Sequence, residues 1–213
     1  AAFFLRLRGH RVTVFEAGAS AGGMPVLSVP DYRLPPAVLE KDLGVIRKLG
    51  VEIRTGIRVP DGAAMTALRR DGYDAVLVAV GLAESKKLPI VGADLPGVFW
   101  GLEFLRAAKA GQRVDLGREI VVVGGGNVAI DVAMTARRVA NGAVRLFCLE
   151  SRAEMPSHAQ EIQKAEAEGI EINTGWGPVA IQGSAGKTSG VEFRRCTAVF
   201  DVQHKFAPVF DEQ

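Results

Sequence analysis

The sequence predicts an α/β protein made of two Rossmann-like dinucleotide-binding units, each with a parallel sheet. Apolar runs rich in β-branched residues alternate with amphipathic helical runs, which is the order of parallel βαβ units. A short unit occurs twice, as GVEIRTG at 50–56 and as GIEINTG at 169–175. A glycine-rich turn, GGGNVA at 124–129, separates a strand-like run from a helical run. Together these observations predict a duplicated fold.

In the first half, strand-like and helical runs alternate up to Gly81. In chain order they are a helix ending at Gly9, a strand in 11–17, a helix in 35–50, a strand in 51–59, a helix in 61–72 and a strand in 74–81. The helix in 35–50 has four apolar residues on one face: Leu39, Leu43, Ile46 and Leu49. The last strand, DAVLVAVG, is apolar almost throughout, as expected for a parallel strand that is covered on both faces.

The second half repeats this order. Its predicted elements are a strand in 118–123, a helix in 127–142, a strand in 144–150, a helix in 157–169 and a strand in 170–175. Ser157 and Gln160 predict a capping box at the start of the second helix, and Gly169 is expected to end it. The strand in 144–150 ends at Glu150, as the strand in 11–17 ends near Glu16.

The spacing of the two copies predicts that each is incomplete. Glu150 precedes Gly169 by 19 residues. Glu16 precedes Gly50 by 34 residues, so Glu16 and Glu150 are expected to be equivalent across an insertion. Counting back 21 residues from Glu150 reaches Ala129, whereas the same offset from Glu16 falls before residue 1. The first copy is therefore expected to lack its first strand and glycine loop, and the second copy its last strand.

Composition excludes several other classes of protein. The chain has 213 residues, 48% hydrophobic and 23% charged, with a formal net charge of +2. The weak net charge and the lack of a basic tract argue against nucleic-acid binding. No apolar run reaches the roughly 20 residues of a membrane helix. The absence of an initiator Met indicates a chain cut from a longer one.

The two cysteines indicate the compartment and exclude one kind of chemistry. Cys148 and Cys196 lie apart in strand-like runs, which predicts buried thiols in a reducing cytoplasm. Their spacing excludes a Cys-x-x-Cys redox pair and a cysteine-bound Fe–S cluster within this chain. The missing redox pair argues against the disulfide reductases, which share the architecture of two nucleotide-binding units.

The glycine turn carries the strongest chemical signal. Gly124, Gly126 and Ala129 fit G-x-G-x-x-[GA], between a strand and a helix. Gly124 allows the sharp turn, Gly126 allows close approach of a pyrophosphate, and Ala129 allows the helix to pack on the strand. The helix N-terminus supplies N–H groups and partial positive charge to the phosphates. The alternative is a glycine-rich turn that holds no ligand.

The other candidates carry weaker signals, and their alternatives stay open. Glu16 is predicted to bond an adenosine ribose, or else to be a solvated residue at a strand end. Gly22 and Gly23 either bring backbone against a cofactor or form an ordinary turn. Glu150 is at the strand tip where an acidic side chain binds ribose hydroxyls.

The motifs together resemble one family over nearly the whole chain. They are VTVFEA, AGGM followed by VPDYRLP, GVEIRTG, DAVLVAVG, ADLPGVF, VVVGGGNVAIDVA and SRAEMPS. The chain resembles the pyridine-nucleotide-dependent flavin oxidoreductases typified by the glutamate synthase small subunit and the matching region of dihydropyrimidine dehydrogenase. In that family an NAD(P)-binding domain is inserted into an FAD-binding domain, and electrons pass from NAD(P)H to FAD and then to Fe–S clusters.

The resemblance implies two domains and a set of cofactor-binding residues. Residues 1–100 would be a partial FAD-binding domain and residues 101–213 the NAD(P)-binding domain. Glu16 would bind the FAD ribose, and Gly22, Gly23 and Met24 would lie along the FAD. The remaining predicted binding residues are Gly81, Gly124, Gly125, Gly126, Asn127, Val128, Ala129, Glu150, Ser151 and Arg152.

One departure from the family bears on the choice of nucleotide. The family has a basic pair after the second strand of its nucleotide domain, where this chain has Leu149 and Glu150. A carboxylate there repels the 2′-phosphate of NADPH, so the sequence favours NADH, although Arg152 is nearby and suits a phosphate. Electrons would leave through an Fe–S domain or partner subunit.

The sequence thus predicts part of an FAD-linked NAD(P)H oxidoreductase that is inactive as this chain alone. Because the cofactors perform the chemistry, no catalytic acid, base or nucleophile is assigned. The alternative is a nucleotide-binding sensor or regulatory module that never turns over. A flavin spectrum that NADH bleaches in the full-length protein separates the two.

Overall fold

The structure, a computed structural model, describes residues 1–211. It divides into two compact units, Ala1–Ala83 and Glu84–Gln213. The division falls before the predicted boundary at residue 100, because the segment after residue 83 is bonded within the second unit. In that segment the Val91 carbonyl accepts a hydrogen bond from the Ile181 N–H (2.8 Å). The assignment of each unit to a cofactor stays a prediction.

The first unit contains four helices and one pair of parallel strands among its described elements. They are α1 (Ala2–Leu7), β1 (Thr13–Phe15), α2 (Met24–Leu27), α3 (Pro36–Lys48), β2 (Glu52–Arg54) and α4 (Gly62–Arg70). Strand β1 pairs with β2 in parallel, with Val14 opposite Ile53. The predicted apolar face of α3 is half-buried and its other face is exposed. Asp61 caps α4 by accepting the Ala64 N–H at 2.9 Å.

The strand predicted over 74–81 is not formed. This segment pairs with no strand in the described chain, and Leu77, Val78 and Val80 are 65%, 61% and 83% exposed. An apolar parallel strand needs a neighbouring strand to bond its backbone groups, and an apolar pattern does not reveal whether one is present. Strand β2 is likewise shorter than predicted, since it ends at Arg54.

The second unit contains a parallel sheet followed by an antiparallel one. Its elements are α5 (Gly101–Lys109), β3 (Glu119–Val123), α6 (Asn127–Val139), β4 (Ala143–Cys148), α7 (Ala159–Ala167), β5 (Glu171–Thr174), β6 (Trp176–Ser184), β7 (Lys187–Phe200) and β8 (Phe206–Phe210). The parallel sheet has the order β3-β4-β5, and the antiparallel sheet β6-β7-β8. The parallel order of strand, helix and strand confirms the sequence prediction. The antiparallel sheet was not predicted.

The core of the second unit lies where α5, α6 and α7 meet one face of the parallel sheet. Ile130 on α6 and Leu146 on β4 are both 0% exposed. Phe104 and Leu105 of α5 and Ile162 of α7 belong to the same cluster. Burial of such a side chain stabilises a fold by about 1.5–3 kcal/mol, and the cluster includes Val122 of β3 and Ile130 of α6, the two elements that the glycine turn joins. No helix in residues 1–211 is long and apolar enough to span a bilayer.

The repeated unit adopts the same local structure twice. In each copy a glycine with positive φ ends a helix, a short parallel strand follows, and a second glycine donates its N–H to the loop after the preceding strand. Gly56 donates to the Gly18 carbonyl (2.8 Å), and Gly175 donates to the Glu150 carbonyl (2.9 Å). The duplication inferred from the sequence is therefore present in the backbone.

The register corrects the predicted equivalence of Glu16 and Glu150. Val14 is opposite Ile53 in the first copy, and Leu146 is opposite Ile172 in the second. Two residues further along each strand, Glu16 is therefore equivalent to Cys148. Glu150 is instead equivalent to Gly18. The prediction was wrong by two residues because each acidic residue was read as the end of its strand.

Candidate nucleotide-binding site

The turn between β3 and α6 has the geometry that its glycines predict. Gly124 has a φ of +133°, a conformation that L side chains rarely adopt, and its N–H donates to the Phe147 carbonyl at 2.8 Å. A β-carbon built on Gly124 would lie 3.3 Å from the β-carbon of Ala129. Small residues at both positions therefore let α6 begin directly above the end of β3.

The N-terminus of α6 presents open backbone donors. Gly126 precedes the helix with φ −86° and ψ 170°, and its carbonyl accepts the N–H groups of Ala129 (2.9 Å) and Ile130 (3.2 Å). Among the described residues, no acceptor pairs with the N–H groups of Gly126, Asn127 and Val128. A helix of 13 residues adds partial positive charge at this end.

The space in front of these donors suits a phosphate group. A β-carbon built on Gly126 would meet no heavy atom within 4 Å, so the approach to its backbone is open. Open amides, the helix dipole and a position without a side chain are the three features of a dinucleotide pyrophosphate cradle. The residues of this turn therefore fit a dinucleotide.

Gly125 has a different constraint from its neighbours. It is buried, and a β-carbon on it would lie 2.6 Å from Glu150 Oε2 and 3.1 Å from the β-carbon of Cys148. The carboxylate of Glu150 thus packs directly on the turn. A side chain at this position would have to displace the Glu150 carboxylate and would press on the β-carbon of Cys148.

Ser157 is a residue of this site that the sequence did not reveal. Its hydroxyl donates to the Gly125 carbonyl at 2.6 Å, and Ser157 is only 7% exposed. The predicted capping box is wrong, since α7 begins at Ala159 with His158 as its N-cap. No local pattern signals this bond, because its acceptor is a backbone carbonyl 32 residues away.

Asn127 also contacts the loop that follows β4. Its Oδ1 accepts the N–H of His158 at 3.0 Å. Because α6 starts at Asn127, this bond ties the first residue of the helix to the residue that caps α7. His158 itself is exposed.

Ser151 and Arg152, predicted to bind the nucleotide, are bonded elsewhere. The Ser151 hydroxyl donates to Glu154 Oε2 at 2.6 Å and lowers the pKa of that carboxyl. The Arg152 guanidinium donates to Glu166 Oε2 on α7 at 2.7 Å, and both side chains are partly exposed. Of the residues after β4 that were predicted to bind nucleotide, only Glu150 lies against the glycine turn.

Cys148 occupies the end of β4 as a buried thiol. Burial, and secondarily the Glu150 carboxylate, raise its pKa to about 11. Its Sγ lies 3.7 Å from the Glu150 carbonyl. Cys148 is therefore a neutral packing residue at neutral pH. Both cysteines are free and buried, as predicted.

The predicted FAD residues lie in the first unit. Glu16 Oε1 accepts the N–H of Gly18 at 2.6 Å, so the Glu16 carboxylate is bonded to the backbone of the loop that follows β1. Gly22 and Gly23 both have positive φ, and Gly23 precedes the four-residue helix α2, which begins at Met24. Gly81 is exposed, with a φ of +65°, in the segment that forms no strand. Among the described residues of this unit, no glycine turn leads from a parallel strand into a long helix as the turn before α6 does.

A cleft of about 290 Å³ adjoins the tip of β4. It is lined by Leu149, Ser151, Glu154, Thr174, Gly175 and residues 195–199 of β7. The cleft is lined by the end of β5 on one side of β4, whereas the glycine turn follows β3 on the other side. Within residues 1–211, no cluster of three or more His, Cys, Asp and Glu side chains is arranged to hold a metal ion.

Comparison with known proteins identifies the family. The profile described as pyridine nucleotide-disulphide oxidoreductase matches residues 1–202. The chain belongs to this family. The resemblance inferred from the motifs is confirmed at this level, while the narrower likeness to the glutamate synthase small subunit stays a prediction.

Three curated relatives illustrate the similarity. The subunit beta of NADP(+)-dependent formate dehydrogenase from Moorella thermoacetica is 41% identical over 195 residues, 90% of this chain and 27% of the relative. The subunit beta of NADPH-Fe(3+) oxidoreductase from Geobacter sulfurreducens is 35% identical over 179 residues (80% and 26%). The NAD-dependent dihydropyrimidine dehydrogenase subunit PreT from Escherichia coli is 32% identical over 178 residues (83% and 42%). The chain spans less than half the length of each relative.

Solved structures share the fold. FprA of Mycobacterium tuberculosis in complex with NADPH superposes with a TM-score of 0.75 at 17% identity, over 95% of this chain and 60% of that one. Thioredoxin reductase of T. acidophilum gives 0.60 at 14% identity, over 98% and 69%. At these identities the likeness shows the fold alone, which confirms the predicted α/β class with parallel sheets.

Proposed function

We propose that this chain is the pyridine-nucleotide-binding part of a flavin-linked oxidoreductase, with the second unit as the nucleotide domain. The observation that carries the proposal is the row of open amides at the start of α6, from Gly126 to Val128. The approach to them is open because Gly126 has no side chain. Bound NAD(P)H would supply a hydride from nicotinamide C4 to the N5 atom of FAD. The relatives are subunits named as dehydrogenases and oxidoreductases, which supports a redox role.

The residues of the turn would bind and orient the dinucleotide. The N–H groups of Gly126, Asn127 and Val128 would donate to the pyrophosphate oxygens. Glu150 would accept hydrogen bonds from the adenosine ribose, because its carboxylate packs on Gly125 beside the cradle. Charge-assisted hydrogen bonds of this kind are about twice as strong as neutral ones, which supports the binding of a dinucleotide at this turn.

We also propose that NADH is preferred over NADPH. The carboxylate of Glu150 is against the turn, while the guanidinium of Arg152 is paired with Glu166 and directed toward α7. A 2′-phosphate beside the ribose would therefore lie near the Glu150 carboxylate, while the Arg152 guanidinium is already paired. Two of the relatives are named for NADP(+) or NADPH and the third for NAD, so the name of a relative does not decide the preference.

The flavin would be bound with the help of chain outside these 213 residues. Glu16 and Gly22–Met24 would line it, and its pyrophosphate would be held by a cradle elsewhere in the full-length protein. Two facts support this arrangement. The apolar run 75–82 is exposed and has no strand beside it in the described chain. This chain also covers only 26–42% of the length of the relatives.

The electron acceptor would be an Fe–S domain or partner subunit, as in the glutamate synthase type of enzyme. The curated relatives are named as subunits, which fits a partner in the assembly. The free, buried thiols of Cys148 and Cys196 support a reducing compartment, and we propose a cytoplasmic location.

Anaerobic spectroscopy of the full-length protein tests the proposal. The purified protein is expected to show the absorbance of an oxidised flavin, and NADH is expected to bleach it. Replacing Gly126 by Val is expected to abolish bleaching by NADH while dithionite still reduces the flavin. A colourless full-length protein, or a flavin that neither NADH nor NADPH reduces, contradicts the proposed activity.

A further inference from the structure

The loop from Ser151 to His158 is fastened to the glycine turn at two points near its end. The Ser157 hydroxyl donates to the Gly125 carbonyl (2.6 Å), and the His158 N–H donates to Asn127 Oδ1 (3.0 Å). Met155 on the same loop is buried in the core of the second unit, so the loop has a fixed position. The turn is therefore restrained from outside by a segment that follows it by some thirty residues.

The Ser157 bond controls the direction of one open amide. The Gly125 carbonyl and the Gly126 N–H belong to one planar trans peptide, so they point in opposite directions. A hydrogen bond that holds the carbonyl toward Ser157 therefore aims the Gly126 N–H away from the loop. The Asn127 bond similarly holds the first helical residue, whose own N–H is the next open donor. Neither bond uses the donors that a ligand would need.

The hydrogen bond from Ser157 is important because the turn has glycine at three consecutive positions, 124–126. A glycine peptide turns more readily than any other, so its orientation must be set by a partner. Ser157 is buried, so water does not readily replace its hydroxyl. Without the Ser157 hydroxyl, the Gly125 carbonyl would lose this hydrogen bond. Rotation of the Gly125–Gly126 peptide toward another donor would then be favoured.

We infer that Ser157 is a positioning residue for the diphosphate of the bound dinucleotide. It acts through the Gly125–Gly126 peptide and does not touch the ligand itself. This role rests on the proposed function, because it assigns to Ser157 the preorganisation of that same cradle. The ligand class it serves is a nucleoside diphosphate group, whichever base or nicotinamide it carries.

The test uses the full-length protein and ADP-ribose, which carries the pyrophosphate but no reactive nicotinamide. Calorimetric titration is made on wild type, Ser157→Ala, Ser157→Thr and Thr188→Val. Thr188 is the matched control: its hydroxyl donates to the Pro96 carbonyl at 2.8 Å in the same unit, remote in sequence from the turn. Thermal unfolding is recorded for each variant, so that loss of binding is separated from loss of fold.

Ser157→Ala is expected to weaken ADP-ribose about tenfold, the size of one lost buried hydrogen bond, with Thr188→Val within about twofold of wild type. Ser157→Thr, which keeps the hydroxyl, is expected to restore most of the affinity. If Ser157→Ala does not fold, Ser157→Cys replaces it, since it has nearly the same size and a weaker donor. Unchanged affinity in Ser157→Ala, or an equal loss in Thr188→Val, overturns the inference. Wild type that does not bind ADP-ribose overturns the proposed function instead.

Discussion

The carboxylate of Glu150 packs on the backbone of Gly125, so that a β-carbon on Gly125 would lie 2.6 Å from Glu150 Oε2. The two residues come from different elements, one from the turn before α6 and the other from the tip beyond β4. Their contact joins the two halves of the proposed dinucleotide site, the phosphate cradle and the ribose acceptor. A side chain at the middle position of the G-x-G motif would have to displace this carboxylate.

Gly125→Ala is therefore expected to disturb the site more than its small size implies. The new methyl group would displace the Glu150 carboxylate and press on Cys148, whose β-carbon would be 3.1 Å away. Overpacking of this kind costs about 1–3 kcal/mol of folding free energy. Chemical denaturation measures the loss, and nucleotide titration is expected to show weaker binding. If the stability matches that of wild type, Glu150 moves aside freely and the contact is not a constraint.

Unlike Gly125→Ala, Gly126→Val is expected to weaken nucleotide binding without lowering the stability of the fold. A β-carbon at Gly126 meets nothing within 4 Å, and its φ of −86° suits any residue, so the fold is expected to survive. The valine side chain would instead occupy the approach of the pyrophosphate. Titration with NADH is expected to show binding lost, and circular dichroism to show an unchanged spectrum. Unchanged affinity would remove Gly126 from the site.

Leu146→Ala tests the support beneath the site. Leu146 lies on β4 and is 0% exposed, in the same cluster as Ile130 of α6. Truncation of such a leucine costs about 2–5 kcal/mol, through lost burial and the cavity left behind. Denaturant unfolding measures this loss. Val202→Ala is the control, because Val202 is 100% exposed and its loss is expected to change the free energy by about 0.5 kcal/mol or less. A small effect at Leu146 would mean that the core of this unit is loosely packed.

Stability is also expected to fall at high pH because of Cys148. Burial raises its pKa to about 11 in the folded state, from an ordinary value of 9.0. The thiol's contribution is therefore complete below about pH 9 and is lost as the pH rises toward 11. Unfolding free energies measured at pH 8 to 10 are expected to decrease less steeply in Cys148→Ala than in wild type. The difference is at most the slope of one proton, about 1.4 kcal/mol per pH unit. Identical slopes would show that Cys148 ionises equally in both states.

Local patterns predicted the elements whose partners are close in the chain. The helices α3 and α6 and the strands β3 and β4 all form near the predicted positions. Each is specified by periodicity and by glycines near its ends, and α6, β3 and β4 pack against one another within one βαβ unit. The glycine motif was located correctly for the same reason, since strand, turn and helix are contiguous.

The failures share one physical cause, which is a partner that the local pattern does not encode. The run 74–81 is apolar enough for a buried strand, yet no strand of the described chain bonds to it. Ser157 follows the pattern of a capping box, but its hydroxyl bonds to a carbonyl on a remote turn. Glu16 and Glu150 were matched by residue type, whereas the hydrogen-bonded register matches Glu16 with Cys148.

The last prediction concerns the preference between NADH and NADPH. A 2′-phosphate beside Glu150 would place two anions a few ångströms apart, which repel by about 1–4 kcal/mol, depending on how far water screens them. Arg152 is the nearest basic residue along the chain, but its guanidinium is bound to Glu166 at 2.7 Å. Wild type is therefore expected to favour NADH by about tenfold or more in the reduction of its flavin.

Two substitutions separate the contributions of these charges. Glu150→Arg is expected to reverse the preference, since an arginine at this tip would pair with the 2′-phosphate instead of repelling it. Glu166→Gln is expected to raise the use of NADPH by a smaller factor, because it releases Arg152 from its ion pair. Glu171→Arg is the control, because it makes the same change of charge on an exposed residue at the opposite end of the parallel sheet. The measurement is kcat/KM for each nucleotide in the full-length protein. A wild type that prefers NADPH, or a preference that moves equally in Glu150→Arg and Glu171→Arg, would show that the carboxylate on Gly125 does not discriminate between the two cofactors.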